Sequence, residues 1–129
     1  MNTAQAAQLL AMAAAYDNRN ASEIAARAWG EALHDIRFDD ARHALIEHYK
    51  HNRQWLMPAD IREGVQALRY HRTLRGRIHV GHPPADLEPD AHTEFLRISD
   101  RLLGDGLTPD EAGAKAYRAA LDYQKQIQA

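Results

Sequence analysis

Apolar residues recur at spacings of three and four in six separate stretches of the chain, and nowhere do they alternate with polar residues for long enough to read as a strand. The pattern predicts an all-α protein. In the first stretch Ala6, Leu9, Ala13 and Tyr16 share one helical face, which the turn-forming pair Asp17-Asn18 closes. The second opens with Asn20 and, at capping-box spacing, Glu23; its stripe is Ala25, Trp29, Leu33 and Ile36. Gly30 inside that helix costs about 1 kcal/mol relative to alanine and marks the close approach of a neighbouring helix. Asp39 can cap a third helix with the face Ala41, Leu45, His48 and Tyr49. Pro58 suits the first position of a fourth, since a proline there forfeits no useful donor, and Ile61, Val65 and Leu68 supply its face. That stripe runs on into Arg72 and Arg75, so the helix is expected to end in water, beyond the core.

Residues 76–89, GRIHVGHPPADLEP, hold two glycines and three prolines without a period and read as a linker. A fifth helix follows with Ala91, Phe95, Ile98 and Leu102 in register, ended by Gly104-Asp105-Gly106, with Gly104 in the left-handed position. Thr108-Pro109-Asp110-Glu111 is a strong helix start, and Ala112, Ala116, Ala120, Tyr123 and Ile127 continue the sixth helix, with Glu111 and Lys115 as an exposed i,i+4 pair. The expected organisation is a four-helix unit over residues 1–75, the linker 76–89 and a helical hairpin over residues 90–129.

Composition narrows the chemistry. At 129 residues, with 45% apolar and 26% charged residues, the chain is long enough to bury a core. It has no cysteine, which excludes disulfides, thiolate nucleophiles and Cys-ligated zinc. The uncharged first sixteen residues lack the positive n-region of a secretory signal and read as a helix, and no apolar run is long enough to span a membrane, so a cytoplasmic protein is expected. Acidic and basic groups number 7 and 6 over residues 1–57, 2 and 5 over 58–82, and 9 and 5 over 83–129. An anionic partner would therefore meet the middle segment.

Neither a G-x-x-x-x-G-K-[ST] loop nor a G-x-G-x-x-G is present, so the usual phosphate cradle of a nucleotide-driven enzyme is missing. The two serines, Ser22 and Ser99, lie outside any nucleophile-elbow context, and the pairs Asp39-Asp40 and Asp110-Glu111 are explained by helix starts. His43, Glu47 and His51 fall on one helical face, but zinc would need a fourth ligand and a second shell, and the face reads as the solvated back of the third helix. His48 reads as a hydrogen-bonded histidine on the apolar side. No catalytic residue, metal or cofactor is expected.

The cluster Arg69, Arg72, Arg75 and Arg77, interleaved with Tyr70 and His71, leaves two readings open. Guanidinium groups pair with phosphates and a tyrosine can stack on a base, which would make a small DNA-binding module; alternatively, the arginines solvate a helix end and complement its dipole. Trp29, at helical spacing, is expected in the core, and Trp55, just before Pro58, either plugs the bundle or stands exposed as an anchor, with plugging the expected outcome.

Over roughly residues 7–70 the order and type of residues resemble the helical N-terminal domain of phage replicative-helicase loader and inhibitor proteins, particularly those of actinobacterial phages. The elements that carry the likeness are the aromatic-Asp-x-Arg turn Tyr16, Asp17, Arg19; Trp29 with Leu33; Phe38-Asp39 at a helix start; and the string Trp55-Leu56-Met57-Pro58-Ala59-Asp60-Ile61-Arg62. The resemblance implies a non-enzymatic adaptor that binds the hexameric replicative DNA helicase, holds or loads it, and meets an origin-binding protein, with at most weak contact to DNA. The C-terminal part is implied to touch the helicase, although here it is patterned as two helices where the resemblance implies a flexible tail. Two helices bury too little apolar surface to stand alone, so the hairpin face Phe95, Ile98, Leu102, Tyr123 and Ile127 is expected to dock on the N-terminal unit, on a second copy of the chain or on a partner protein, and the resemblance implies the helicase as that partner.

Overall fold

A computed structural model describes all residues, Met1–Ala129. It is all-helical, with α1 (Thr3–Asp17), α2 (Glu23–Ala32), α3 (Phe38–His51), α4 (Pro58–Val80), α5 (Pro89–Gly104) and α6 (Pro109–Gln128) and no strand. No helix is long and apolar enough to cross a membrane. The chain divides into two compact units, Met1–Leu68 and Arg69–Ala129, whose boundary falls inside α4.

In the first unit, α1 begins with a reciprocal capping box between Asn2 and Gln5 and ends at Asn18, whose φ of 62° is the left-handed cap that Asn tolerates. The α-ammonium of Met1 donates to the carbonyls of Leu33, His34 and Ile36 at 3.2, 2.8 and 2.7 Å, tying the start of α1 to the turn that follows α2. The cap of α2 is Ser22, which accepts from the Ala25 N–H at 3.1 Å, and not Asn20, which lies two residues too early. Asp39 likewise falls inside the first turn of α3, which begins without a side-chain cap at Arg37. The core joins Ala6, Leu9, Leu10 and Ala13 of α1, Ala26, Trp29 and Leu33 of α2, Ala41, Ala44 and Leu45 of α3, and Leu56, Ile61 and Val65 from the start of α4. Gly30 packs against α1, but a Cβ there would sit in ordinary contact, 3.5 Å from the Thr3 backbone, so the approach does not require a glycine.

The second unit departs from expectation at both ends of the expected linker. Residues 76–80 are helical and only residues 81–88 connect α4 to α5, because Gly76 is needed inside a helix and not in a loop. It is buried, and a Cβ on it would meet Leu103 Cδ1 at 2.9 Å, with Cδ2 closer still. The end of α4 therefore packs on α5 and does not project into water. Thr73 Oγ1 donates to the Asp100 carbonyl at 3.3 Å, and Arg77 grips the Asp100 carboxylate at 3.0 and 2.7 Å. Behind them Leu87, Ala91, Phe95 and Ile98 meet Ala116 and Ala120 of α6 in a second core. The C-terminus of α5 is a Schellman turn, with Leu107 N–H on the Leu102 carbonyl and Gly106 N–H on that of Leu103. Gly106, with φ of 95°, is thus the left-handed residue; Gly104 is the last helical residue, small because Arg69 and Thr73 lie against it. Thr108 caps α6 through the Glu111 N–H at 3.2 Å as expected, but Glu111 forms no ion pair with Lys115.

Candidate interaction site

Several of the residues that carry the helicase-loader resemblance, though far apart in the sequence, lie around one side chain of the first unit. Asp17 ends α1, and Asn18 turns the chain so that Arg19 folds back on it. Arg19 Nε lies 3.0 Å from both Asp17 oxygens, Nη2 reaches Oδ2 at 2.7 Å, and the Arg19 N–H donates to Oδ1 at 3.1 Å. The same Nη2 donates to the Leu56 carbonyl at 2.7 Å, tying the α1 turn to the segment before α4. Tyr49, from the end of α3, donates its hydroxyl to Asp17 Oδ2 and accepts the Leu56 N–H at 3.0 Å. Asp17 and Arg19 side chains are 4% and 7% exposed, so this pair is one that must be fully hydrogen-bonded to be tolerated. Hydrogen bonding to Arg19 outweighs burial and holds the Asp17 carboxyl down at about 2, while burial raises the Tyr49 phenol.

Aromatic rings surround the pair. The Arg19 guanidinium carbon lies 5.2 Å from the Trp29 ring centroid and 5.1 Å from that of Trp55. Trp29 is in the core, at 7% exposure, as its spacing requires, whereas Trp55 does not plug the bundle and stands 57% exposed. Residues 52–57 are not helical and connect α3 to α4. Leu56 takes the core position, fully buried, which turns Trp55 and Met57 outward. Tyr16, also exposed, stacks on Tyr49 at 4.8 Å with the planes 13° apart. Tyr16, Trp55 and Met57 are thus exposed, the first seated on Tyr49 and the second on Arg19. Sequence spacing could not locate this exposed set, because it depends on which of three adjacent residues in an irregular segment goes inward.

The residues expected at a partner surface in the second unit are mostly internal. Phe95 and Ile98 are buried, Leu102 and Tyr123 pack on the same core, and only Ile127 is exposed. The hairpin face thus covers itself with the help of the second half of α4, and these residues do not form a free docking surface. Three of the four arginines are tied to their own unit: Arg69 to Asp105 at 2.6 Å, Arg77 to Asp100, and Arg72 to the Gly104 carbonyl at 3.3 Å. Arg75 alone is exposed without a hydrogen bond or ion pair. The Asp100 and Asp105 carboxylates neutralise much of the basic cluster, which the one-dimensional charge count could not anticipate.

On α3, Glu47 binds Lys50 at 2.9 Å and lies 3.7 Å from the His51 ring, and Lys50 draws its carboxyl below the usual range. His48 is half-buried and hydrogen-bonds the Gln54 carbonyl at 2.8 Å. No group of three or more His, Cys, Asp or Glu side chains converges as metal ligands would. No protein-family model, curated protein or solved structure matches the chain.

Proposed function

We propose that the chain is a non-enzymatic phage DNA-replication adaptor, acting in the host cytoplasm, that binds the hexameric replicative DNA helicase and loads or inhibits it. The observation that carries this reading is the convergence at Arg19. Tyr16, Asp17, Trp29, Trp55 and Leu56, five of the residues through which the sequence resembles helicase loaders, are neighbours through that one guanidinium or through Tyr49. Arg62, the last residue of the quoted string, closes a second tie within the same unit, donating to the Ala32 carbonyl at 2.7 Å and pairing with Asp35. The likeness is thus a likeness of framework: the motif residues set the angles among α1, α3 and the start of α4. The framework leaves an apolar patch outside and no catalytic constellation within it, which suits an adaptor.

The test is direct association. Mixed with purified hexameric replicative helicase, the chain is expected to co-elute with it in size-exclusion chromatography and to change its DNA-dependent ATPase rate. Separate elution over micromolar concentrations, with an unchanged ATPase rate, refutes the reading.

A further inference from the structure

An indole that is more than half exposed normally gains by moving, either into the core or by giving way to solvent-compatible rotamers. Trp55 does neither, for two reasons visible in the structure. The inward position is taken by Leu56, and one side of the ring is occupied by Arg19, whose own position is fixed by four contacts to Asp17 and one to the Leu56 carbonyl. The ring is therefore held in place while exposed, which removes much of the ordering cost that a mobile surface tryptophan would incur on binding. Arg53 and Met57 are exposed in the same short segment, and Tyr16 is exposed on Tyr49, whose hydroxyl accepts the Leu56 N–H. Aromatic residues, methionine and arginine are the types enriched at protein interfaces, and tryptophan, tyrosine and arginine dominate their energetic centres.

Charge says what kind of surface can receive this patch. Residues 48–59, HYKHNRQWLMPA, contain no acidic side chain, and Arg53 within them is exposed and unpaired. The nearby Asp17 carboxylate is already matched by Arg19, and Asp60 is occupied by the Met57 N–H at 2.8 Å. The patch is an apolar knob with a cationic border. A single unpaired arginine neutralises too little phosphate to make nucleic acid the better occupant, whereas Met57 and the fixed indole suit an apolar pocket.

We infer that Trp55 is the anchor by which the first unit docks on a partner protein, entering an apolar pocket rimmed by carboxylates that face Arg53. The inference rests on the reading that this partner is the helicase. The experiment measures binding of the full chain to purified hexameric helicase by fluorescence anisotropy, with a labelled twenty-nucleotide oligothymidine as the nucleic-acid probe. Trp55→Ala should weaken helicase binding about thirtyfold, as loss of an interface anchor does. Arg53→Glu, at an unpaired surface position, should weaken it about threefold and more at low salt than at high, as expected of a charge at the rim. Ile78→Asp, on the exposed face of the second unit, should leave it unchanged.

If Trp55→Ala perturbs the fold, Arg53→Glu and Met57→Ala carry the test, because neither side chain supports another group. Helicase binding that is unaffected by the Trp55, Arg53 and Met57 variants overturns the inference while leaving the proposed function standing. No helicase binding by the unaltered chain overturns both. Trp55-dependent capture of the oligothymidine without helicase binding overturns the inference in favour of a single-stranded nucleic acid occupant.

Discussion

The Arg19 guanidinium lies over both a buried indole and an exposed one, 5.2 Å from Trp29 and 5.1 Å from Trp55, while it also hydrogen-bonds Asp17 and the Leu56 carbonyl. One side chain thus links the end of α1, the core of α2 and the segment leading into α4. Truncating it would strand a nearly buried carboxylate and a backbone acceptor. Arg19→Ala is expected to cost about 3–5 kcal/mol in urea unfolding, the range for removing one partner of a buried pair. Asp17→Asn combined with Arg19→Met should cost clearly less than the sum of the single changes, because no charge is then left uncompensated. Strict additivity would show that the pair is not coupled.

The same pair sets an acid limit on stability. Asp17 has its carboxyl lowered from 3.8 to about 2 in the folded chain, chiefly by hydrogen bonding to Arg19, against opposition from burial. A depressed folded value means that the unfolded state binds the proton more readily. The stabilisation is therefore complete above the unfolded value near 4 and is lost as pH falls through about 2. It amounts to about 2 kcal/mol. Urea midpoints measured between pH 6 and pH 2 should fall less for Asp17→Asn than for the unaltered chain; parallel curves would contradict the assignment.

Trp29 fills the first unit's core from α2, beside Leu9, Leu33 and Leu45. Trp29→Ala is expected to cost roughly 3–5 kcal/mol, a large share of the stability of a small domain. Thermal melting followed by circular dichroism at 222 nm checks it, and a melting temperature unchanged from the unaltered chain would show that the indole is not a core group.

These expectations also mark how far the sequence could be read. Periodicity found all six helices and placed Trp29, Leu45, Ile61 and Phe95 inside, because a helix face three or four residues apart must be buried together. Thr108 and Pro58 were legible because a cap and a first-turn proline are local requirements. Trp55, Gly76 and the arginine cluster were not, for one shared reason: what each does is decided by a residue distant in the chain or by a competitor next to it. Leu56 displaces Trp55, Leu103 makes Gly76 a helix residue, and Asp100 and Asp105 claim Arg77 and Arg69. Spacing alone gave no sign that Asp17, Trp29, Trp55 and Leu56 meet around Arg19.

Gly76 offers a local test of how α4 meets α5. A methyl group there overlaps the Leu103 side chain, which is buried and has little room to turn. Gly76→Ala should gain about 1 kcal/mol from helix propensity and lose more to overpacking, leaving a net destabilisation of about 1–2 kcal/mol. Combined with Leu103→Ala, which makes space for the methyl, the glycine change should become neutral or stabilising. A Gly76→Ala variant more stable than the unaltered chain would show that the helices do not approach this closely.

The final prediction concerns what the hairpin needs in order to fold. α5 and α6 alone would lose Thr73 on the Asp100 carbonyl, Arg77 on the Asp100 carboxylate, Arg69 on Asp105, and the seat of Leu103 against Gly76. Two helices without those contacts bury too little apolar surface to offset the entropy of ordering them. A fragment of residues 69–129 keeps all four contacts and the core around Phe95, Ile98, Ala116 and Ala120. It is expected to be helical and to unfold cooperatively in urea, whereas residues 81–129 should show weak helicity and a broad transition. Circular dichroism of the two peptides decides the matter. If the shorter fragment melts as cooperatively as the longer, the second half of α4 adds nothing to the unit, and its arginines are free to serve another surface.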